Sequence, residues 1–513
     1  MTGGEGPGSR RMTVLIGLDV GTTGCKAVVF SEDGALLASA AREYPVDLPQ
    51  PSRAEQDIEA VWRLAFESMG EAIAAAGTRE VAAIGLSVHG EAVTPVDAAG
   101  RPLRPTILGM DTRTDAQNEW LCERFGARAL FERTGMPVHT INTLPKLLWI
   151  REHEPAVWEA AERFLLVEDF LIGRMTGSPL ISDCLASRTQ LYDLEAGGWS
   201  DEILGALELS SERLAEVAPS GTAAGRLSAA LTEELGLSTA PVVVTGGHDQ
   251  ACGALGVGLT EPGLAMVSTG TAEVVEVALG SPVVSQPLYE GNISVYRATV
   301  PGLFLAMTLN HSGGLALRWF RDGFCEPQMT RAAAGEGDAY DLMLEGAGGG
   351  PTGLLVLPHF AGAGTPSFDT ASKGAILGLT FATTRTDLAV AILEGLTYEL
   401  RLNMDLLRDG GVAIDVLRAI GGGARSRLWL QLKADITGIP VITPRVTEAA
   451  AFGAALLAGT GAGLWGSAAE GAERFLELTD RFDPDPAQHV AYSEVYERYR
   501  EVYPAVAPIS RQL

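Results

Sequence analysis

The pattern of apolar and polar positions predicts an α/β protein that opens with a β-hairpin. An apolar run at residues 14–18 breaks at Asp19 into a turn rich in Gly and Thr, and a β-type pattern resumes at residues 27–30. The spacing then predicts a strand, an amphipathic helix and a buried strand, at residues 35–44, 57–76 and 81–88. This order lacks the regular alternation of a dinucleotide-binding fold, and no GxxxxGK[ST] motif occurs.

The turn of this hairpin carries residues that suit a phosphate group. Glycine lets the backbone approach a ligand and present its N–H groups, and Thr22 and Thr23 add hydroxyl donors. Asp19 would be unfavourable beside bare phosphate but favourable if a hydrated Mg2+ lay between them. An ordinary glycine-rich turn explains the same residues equally well, so this segment alone leaves both interpretations open.

A second polar group follows a short buried strand in the middle of the chain. The segment PVVVTGGHDQ, residues 241–250, predicts a strand, a sharp glycine turn and then Asp249. Ligands of α/β sheets gather beyond the carboxyl ends of strands, where a carboxylate is suited to act as a general base. Capping of the following helix by Asp249 is the structural alternative, and we favour the catalytic interpretation.

The opening pattern returns in the second half of the chain. Residues 264–279, LAMVSTGTAEVVEVAL, again predict strand, turn and strand, without the acid. Two similar hairpins at the heads of two similar halves predict a duplicated domain, with the turns facing each other across a cleft. Further on, a long helix is predicted at residues 386–408, and a strand runs into Gly421–Gly423 before a helix at residues 424–436, where an anionic or flat ligand could approach the backbone.

Composition narrows the function classes. A chain of 513 residues is long enough for two domains, and its net charge of -26 argues against nucleic acid or an anionic membrane as a partner. Five scattered cysteines without a CxxC pair are typical of a reducing cytoplasm. We find no apolar span long enough to cross a membrane. Residues 1–12 are predicted to form a disordered tail.

Three stretches together resemble the FGGY carbohydrate kinases, a family within the actin-like ATPase superfamily. They are GLDVGTTGCKAVVF, GGHDQ, and IGGGARSRLWLQLKADITGIPV with EAAAFGAALLAG, in the expected order and spacing. The resemblance implies two ribonuclease-H-like α/β domains flanking a deep catalytic cleft that closes during turnover. It implies a sugar- and phosphate-binding domain, an ATP-binding domain and a peripheral C-terminal segment, at residues 13–258, 259–482 and 483–513.

The resemblance also implies a role for each matched position. Asp249 would be the catalytic base, and Asp19 together with Asp249 would hold Mg2+. The sugar would be bound by His89, Glu91, Asp111, Arg113 and Gln250, although a surface salt bridge explains the Asp111 and Arg113 pair as well. ATP would be bound by Thr22, Thr23, Lys26, Gly270, Thr271, Gly313, Gly314, Gly422, Gly423, Ala424 and Arg427.

Two departures from the family pattern bear on the sugar. Xylulose and glycerol kinases usually carry a tryptophan where this chain has Gly109, which predicts a more open pocket wall. The segment SVHGEAV aligns without a gap so that Glu91 falls on the acidic sugar contact of glycerol kinases. A shifted alignment places His89 and Gly90 on the MHG of xylulose kinases instead, and we prefer the ungapped version.

The implied activity is transfer of the γ-phosphate of ATP to a hydroxyl of a ketose or polyol, with xylulose as the first substrate. Ribulose, fuculose, rhamnulose, erythritol and glycerol are alternatives. A non-catalytic regulator that binds nucleotide or sugar is another alternative, which the presence of both Asp19 and Asp249 disfavours. Such an enzyme would be cytoplasmic, with ATP and a small sugar or polyol as partners. Many relatives form dimers, so a homodimer is one implied assembly.

Overall fold

The computed structural model describes residues 13–513, which form two compact units. The predicted disordered tail, residues 1–12, lies outside the described residues. Unit 1 contains the described residues up to Gly258 with Arg297–Pro301 and Glu448–Phe475, and unit 2 contains Leu259–Tyr296, Gly302–Thr447 and Leu476–Leu513. The predicted domain boundary after Gly258 coincides with one of these divisions.

The elements up to Gly258 contribute to unit 1. The strands are β1 (Val14–Val20), β2 (Gly24–Ser31), β3 (Leu36–Glu43), β4 (Asp47–Gln50), β5 (Arg53–Gln56), β6 (Val81–Val88), β7 (Thr94–Val96), β8 (Thr106–Ile107), β9 (Arg163–Leu165), β10 (Leu180–Ser182), β11 (Tyr192–Asp193), β12 (Gly198–Trp199), β13 (Glu216–Ala218), β14 (Ala223–Arg226) and β15 (Val242–His248). The helices are α1 (Ile58–Ala76), α2 (Asp115–Phe125), α3 (Ala127–Thr134), α4 (Thr143–His153), α5 (Pro155–Ala160), α6 (Val167–Thr176), α7 (Asp183–Ala186), α8 (Asp201–Ala206), α9 (Ala229–Glu234) and α10 (Asp249–Gly256).

The remaining elements follow in the second half of the chain. The strands are β16 (Leu264–Thr269), β17 (Glu273–Leu279), β18 (Ser294–Arg297), β19 (Phe304–Asn310), β20 (Leu355–Leu357), β21 (Ala375–Leu377), β22 (Val416–Ile420), β23 (Val441–Pro444) and β24 (Leu478–Phe482). The helices are α11 (Gln286–Glu290), α12 (Gly314–Phe324), α13 (Glu326–Ala333), α14 (Ala339–Met343), α15 (Arg385–Asp409), α16 (Arg427–Thr437), α17 (Ala449–Gly461), α18 (Ala468–Phe475), α19 (Pro486–Tyr499) and α20 (Val502–Ser510).

Each unit is built on a mixed sheet, and six strands have the same order in the two sheets, with β18 as an additional edge strand in unit 2. In unit 1 the order is β14-β15-β6-β1-β2-β3, with β1, β6 and β15 parallel. In unit 2 the order is β18-β19-β17-β16-β22-β23-β24, with β16, β22 and β23 parallel. In both sheets an antiparallel meander is followed by parallel strands, so β16 and β17 correspond to β1 and β2. The predicted α/β fold class and the duplicated hairpin are confirmed.

Local signals set the ends of the long helices. The Asp57 carboxylate accepts the N–H of Glu59 at 3.0 Å and caps α1, which ends at Gly77 in the left-handed region with φ 65°. Thr384 and Asp387 form a reciprocal capping box at the start of α15. Both helices agree with the sequence pattern to within one residue. No helix among residues 13–513 is both long and apolar enough to span a membrane.

The segment Glu448–Phe475 was expected in the second domain, but it belongs to unit 1. Its helix α17 is rich in Ala and Gly and packs directly on the backbone of the first sheet. A Cβ on Gly17 of β1 would lie 1.8 Å from the Ala451 carbonyl oxygen, and a Cβ on Gly85 of β6 would lie 2.0 Å from that of Ala454. Only small residues on both sides allow this close approach. The segment belongs to unit 1 because α17 packs on its sheet in this way.

Two further expectations differ from the structure. The C-terminal segment, expected to be peripheral, contributes Tyr492, Tyr496 and Tyr499 to the core of unit 2, where they pack with Ile392 and Trp429. These tyrosines recur every three or four residues of α19, so the charged residues between them face outward. The structure also contains a short strand, β9, at residues 163–165, where the sequence pattern predicted no strand.

Candidate active site

The carboxyl ends of the parallel strands of unit 1 bring Asp19 and Asp249 to one edge of the sheet. Asp19 is the sixth residue of β1, opposite Ser87 of β6, and the Ser87 hydroxyl donates to its carboxylate at 2.7 Å. Val88 of β6 pairs with both Val20 and His248, and Asp249 follows His248 as the first residue of α10. Asp249 thus lies just beyond the carboxyl end of β15, as the sequence pattern predicts, and Asp19 lies one residue before the end of β1.

The electrostatics of this edge favour uncharged or metal-compensated carboxyl groups. Burial raises the pKa of Asp249 to about 7, and the negative charge of Asp19 adds to the increase. Burial likewise raises the pKa of Asp19, and the charge of Glu448 acts in the same direction. The Asp249 side chain keeps 29% of its surface exposed, so it remains accessible to a substrate. A carboxylate with a pKa near neutrality is suited to proton transfer.

The same pair has the donor chemistry for Mg2+. Mg2+ prefers carboxylate oxygens and commonly completes its shell with water and substrate phosphate, so one or two protein ligands are enough. Among residues 13–513, no group of three or more His, Cys, Asp or Glu side chains is arranged to hold a metal ion unaided. The negative charge of Asp19 raises the pKa of Asp249, so a cation bound by both carboxylates would compensate this repulsion.

The predicted phosphate turn, residues 21–24, connects β1 and β2 and is held by two side chains outside it. The Tyr44 hydroxyl lies 2.6 Å from the Gly21 carbonyl oxygen and 2.9 Å from that of Gly24. Gln56 donates its amide to the Thr22 carbonyl at 2.8 Å. Thr23, beside Thr22, is exposed. The turn is therefore fixed by its carbonyl groups, while its hydroxyl-bearing residues lie towards the surface of the unit.

Lys26 of β2 lies beside Asp19 but forms an ion pair with Glu448. Its ammonium group donates to both oxygens of Glu448 at 3.0 and 2.9 Å. Both side chains are partly exposed, at 37% and 31%. Glu448 is the residue that precedes α17, and its charge also acts on Asp19. The positive charge of Lys26, beside Asp19, is therefore paired with the negative charge of Glu448. The sequence did not indicate this ion pair.

Glu91, a predicted sugar contact, is held in an unusual conformation. Its φ of 59° lies in the left-handed region, which is uncommon for a residue other than glycine. The Lys146 ammonium donates to its carbonyl at 3.0 Å, and the Thr143 hydroxyl donates to the same oxygen at 3.1 Å. Arg188 donates its Nε to the Glu91 carboxylate at 2.7 Å. These partners fix both the backbone and the carboxylate of Glu91.

The residues around Glu91 include two neutral histidines. Burial lowers the pKa of His89 to about 4 and that of His248 well below its ordinary value. The His89 Nε2 atom is buried with no hydrogen-bond partner. A Cβ on Gly90 would lie 2.6 Å from the His248 ring, so the glycine lets the two segments meet. Gln250, one residue beyond Asp249, donates its backbone N–H to the Asp249 carboxylate at 2.6 Å.

Asp111 and Arg113 form a buried ion pair with each other. The Asp111 carboxylate has no exposed surface and accepts the N–H of Ala54 at 2.7 Å and the Nε of Arg113 at 2.8 Å. Arg113 also donates to Glu55 at 2.7 Å and lies over the ring of Trp149. The charges of both residues act on Lys146, so this network lies near the lysine that binds the Glu91 carbonyl.

The glycine positions predicted for the nucleotide converge within unit 2 on the turn between β16 and β17. Gly313 and Gly314 donate their N–H groups to the carbonyls of Thr271 and Gly270, at 2.9 and 2.7 Å. A Cβ on Gly421 would lie 2.5 Å from the Thr269 carbonyl oxygen. The structure thus brings together three separately predicted stretches, residues 270–271, 313–314 and 421–424. Gly422, Gly423 and Ala424 lie in the 3-10 turn that follows Gly421.

Arg427 stands apart from this group. It begins α16, and its guanidinium donates to Asp480 at 3.0 Å with 72% of its side chain exposed. Beneath the β16–β17 turn, Glu273 forms an ion pair with Lys433, and both side chains are 1% exposed. Sequence reasoning did not identify Lys433, which occurs as a single lysine within the apolar stretch of α16.

Other residues of these sites also escaped sequence reasoning. Lys146 had one available signal, because it interrupts an otherwise apolar segment, LPKLLW, and is fully buried in α4. Arg188 lies 97 residues beyond Glu91 along the chain, and Glu448 lies 422 residues beyond Lys26. Tyr44 lies about 20 residues beyond the turn that it holds. Their roles depend on contacts over long sequence distances, which a single sequence does not display.

The chain is similar to a family of known proteins over most of its length. The model of the FGGY family of carbohydrate kinases matches with its N-terminal domain at residues 14–256 and its C-terminal domain at residues 265–462. The chain is 30% identical over 505 residues to a xylulose kinase of Staphylococcus epidermidis, covering 98% of this chain and 97% of that protein. It is 34% identical over 496 residues to a glycerol kinase of Bordetella parapertussis, covering 92% of each.

Solved structures are similar over nearly the whole chain. The xylulose kinase of Rhodospirillum rubrum is 27% identical with a TM-score of 0.87, covering 97% of this chain and 99% of that one. The gluconate kinase of Lactobacillus acidophilus has a TM-score of 0.88 at 22% identity, covering 97% and 98%, and shows the shared fold alone. The two α/β units have the actin-like ATPase fold. The chain belongs to the FGGY family of carbohydrate kinases, phosphotransferases that use ATP as the phosphate donor and an alcohol group as the acceptor.

Proposed function

We propose that this kinase transfers the γ-phosphate of ATP to a hydroxyl of a ketose, with xylulose as the first substrate and Mg2+ as the cofactor. The observation that carries the proposal is the carboxylate pair Asp19 and Asp249 at one sheet edge. Phosphoryl transfer needs little covalent help beyond a base for the hydroxyl and compensation of phosphate charge. The similarity to a xylulose kinase at 30% identity supports the choice of sugar.

In this proposal Asp249 accepts the proton of the attacking hydroxyl. Its pKa of about 7 lets it be largely ionised at a slightly alkaline pH while it remains basic enough to take a proton. Ser87 orients Asp19, and Asp19 and Asp249 together would hold Mg2+. When bound, this cation would neutralise part of the phosphate charge. His89, Glu91 and Gln250 bind the sugar, and Asp111 and Arg113 support that pocket from behind.

The nucleotide contacts are assigned within each unit. In unit 1 the turn with Thr22 and Thr23 binds phosphate, and Lys26 contributes positive charge once it leaves Glu448. In unit 2 the proposed phosphate contacts are Gly270 and Thr271, supported by Gly313 and Gly314. The adenosine edge is assigned to Gly422, Gly423, Ala424 and Arg427.

A bulkier ketose is the second candidate substrate. A Cβ on Gly109 would lie 3.5 Å from Ile141 Cγ1 and 3.8 Å from the Glu91 carboxylate, so a side chain at this position would border the Glu91 region. The absence of a side chain leaves that volume to a ligand. Gly109→Trp should therefore lower kcat/KM for larger ketoses more than for xylulose.

A coupled assay of ADP release across ketoses, polyols and aldoses tests the proposal. Xylulose should give the largest stimulation, and no stimulation by any of these compounds would refute a sugar kinase. Asp249→Asn should lower kcat by roughly two decades or more while the equilibrium sugar affinity changes little, because the base acts in the transition state. Near-normal turnover in a folded Asp249→Asn variant would exclude this residue as the base.

A further inference from the structure

Glu168 is a buried carboxyl group that the proposed mechanism does not use. It lies in the first turn of α6 and has no exposed surface. Its Oε2 atom accepts the backbone N–H and the hydroxyl of Ser182 at 2.9 and 2.7 Å, and its Oε1 atom accepts the backbone N–H of Gly246 at 2.6 Å. This one side chain therefore connects α6, the β10–α7 junction and β15.

The Gly246 contact falls at a β-bulge. Val244 of β15 pairs with Gly85 of β6, and Gly247 pairs with Ser87, so two residues of β15 face Leu86 alone. A bulge bends its strand and leaves backbone groups outside the ladder. Gly246 is required here, because a Cβ would lie 1.4 Å from the Leu86 carbonyl oxygen.

The bulge lies three residues before Asp249, at the strand end that delivers this side chain. Gly247 pairs with Ser87, which also hydrogen-bonds Asp19. The course of the chain between Gly246 and Asp249 thus sets the spacing of the two carboxylates. Bulges next to active sites re-aim side chains in this way.

The chemistry of the contact calls for a carboxylate. Both oxygens of Glu168 accept backbone N–H groups, one from Ser182 and one from Gly246. An amide side chain has one oxygen, so its NH2 group would face one of these donors and leave it unpaired. An unpaired buried donor is costly, and the bulge would shift to relieve it.

We propose that Glu168 is a positioning residue for phosphoryl transfer, holding the β15 bulge so that Asp249 lies where the acceptor hydroxyl reacts. The inference rests on the proposed role of Asp249 as the base. Displacement of a catalytic group by about 1 Å can cost roughly a hundredfold in rate.

Glu168→Gln is the main test. We expect kcat to fall by roughly tenfold to a hundredfold, while the sugar Kd, measured by calorimetry without turnover, changes less than about threefold, since Glu168 contacts no ligand. An unchanged kcat, or a loss of sugar binding equal to the loss of kcat, would overturn the proposal.

Glu394→Gln is the matched control. Glu394 of unit 2 is also fully buried and accepts the N–H and the hydroxyl of Thr352 at 3.0 and 2.6 Å. The substitution therefore imposes a similar loss on a carboxyl group with no part in the proposed site. It should lower Tm comparably and leave kcat within about twofold. An equal kcat loss in both variants would reduce Glu168 to a general stability role.

A double-mutant cycle separates this inference from the proposed function. If Glu168 acts through Asp249, Glu168→Gln should cause little further loss of kcat in an Asp249→Asn background. A full additional loss there would contradict the inference, whereas normal turnover of Asp249→Asn itself would contradict the proposed function. Should Glu168→Gln fail to fold, Ser182→Ala removes one donor to the same carboxylate. It should give a smaller kcat loss with the same unchanged sugar Kd, and an unchanged kcat would overturn the proposal.

Discussion

A single buried lysine illustrates how much of the candidate sugar site lies outside the motifs. Lys146 has no exposed surface, and burial lowers its pKa to about 7. It donates to the carbonyl oxygens of Glu91 and Ile141. Glu91 holds a φ of 59°, a conformation that costs free energy and persists only when neighbouring contacts impose it. Lys146 is one of those contacts.

We therefore predict that Lys146→Met raises the sugar KM by roughly tenfold with little change in kcat, since a buried carbonyl oxygen left without its hydrogen-bond donor costs about 1–3 kcal/mol. Methionine keeps most of the length of the side chain and loses the donor. Steady-state kinetics with saturating ATP measures the effect, and the KM for ATP, whose proposed contacts lie elsewhere, is the internal control. A sugar KM equal to that of the wild type would show that Glu91 keeps its position without this bond.

At the level of residues, the sequence was informative where a motif is contiguous. Asp19 and Asp249 lie next to glycine turns at strand ends, and the structure brings them to one edge as the parallel register requires. Lys146, Arg188 and Glu448 could not be found this way, because each acts on a residue that is distant in sequence. Glycine patterns report local backbone geometry, whereas ion pairs of this kind form only in the tertiary fold.

Among the elements, the β1–β2 turn is the one whose rigidity depends most clearly on outside side chains. Tyr44 is 5% exposed, and its hydroxyl lies within hydrogen-bond distance of two carbonyls of the turn. Tyr44→Phe should lower kcat/KM for ATP by roughly fivefold, the equivalent of about 1 kcal/mol for one lost hydrogen bond. Titration of ATP with the sugar saturating measures this value. An unchanged kcat/KM would mean that Gln56 alone fixes the turn.

Helix α17 depends on close contact between backbones. A Cβ on Gly453 would lie 1.9 Å from the Cys252 carbonyl oxygen of α10, and a Cβ on Gly256 would lie 2.0 Å from that of Ala449. Gly453→Ala should therefore lower the free energy of unfolding by about 1–3 kcal/mol, as overpacked cores do. Urea denaturation followed by circular dichroism measures the change.

Gly323→Ala is the control for this substitution. Gly323 lies in α12, and a Cβ there meets no atom within 4 Å. Alanine should be neutral or stabilising by up to about 1 kcal/mol, because it reduces the conformational entropy of the unfolded chain. Equal effects of the two substitutions would mean that α10 and α17 separate without cost.

Element prediction succeeded where periodicity was long and unambiguous. The pattern placed α1 and α15 to within one residue, since each spans several turns with distinct caps. It did not assign α17 to unit 1, because an Ala- and Gly-rich helix has apolar residues all round and no single face that identifies its partner. The short strand β9 was also missed, since a strand of three residues is too short to show an alternating pattern of apolar and polar positions.

At the scale of the whole molecule, the net charge of -26 predicts that salt stabilises the fold. Like charges repel more strongly in the compact state than in the unfolded chain, and salt screens this repulsion over about 10 Å at 0.1 M. The free energy of unfolding should rise between 0.05 and 0.5 M NaCl at about pH 8. A fall over that range would indicate that the ion pairs outweigh the net repulsion.

Buried carboxyl groups add a pH dependence that salt screens less. Burial raises the pKa of Glu394 from its ordinary value of 4.5 to about 7. Between these values the folded chain binds a proton that the unfolded chain has released, so the contribution of Glu394 to stability is full below pH 4.5 and is lost as the pH rises through 7.

Glu394→Gln should remove this part of the pH dependence. The amide cannot ionise, so the variant should lose more stability relative to the wild type at about pH 5 than at about pH 8. Urea denaturation of both proteins at these two pH values, in 0.5 M NaCl to screen the surface charges, measures the difference. The histidines do not interfere, because His89 and His248 are present in both proteins and their depressed pKa values cancel from the comparison. A difference that is independent of pH would mean that Glu394 ionises in the folded chain as readily as in the unfolded one.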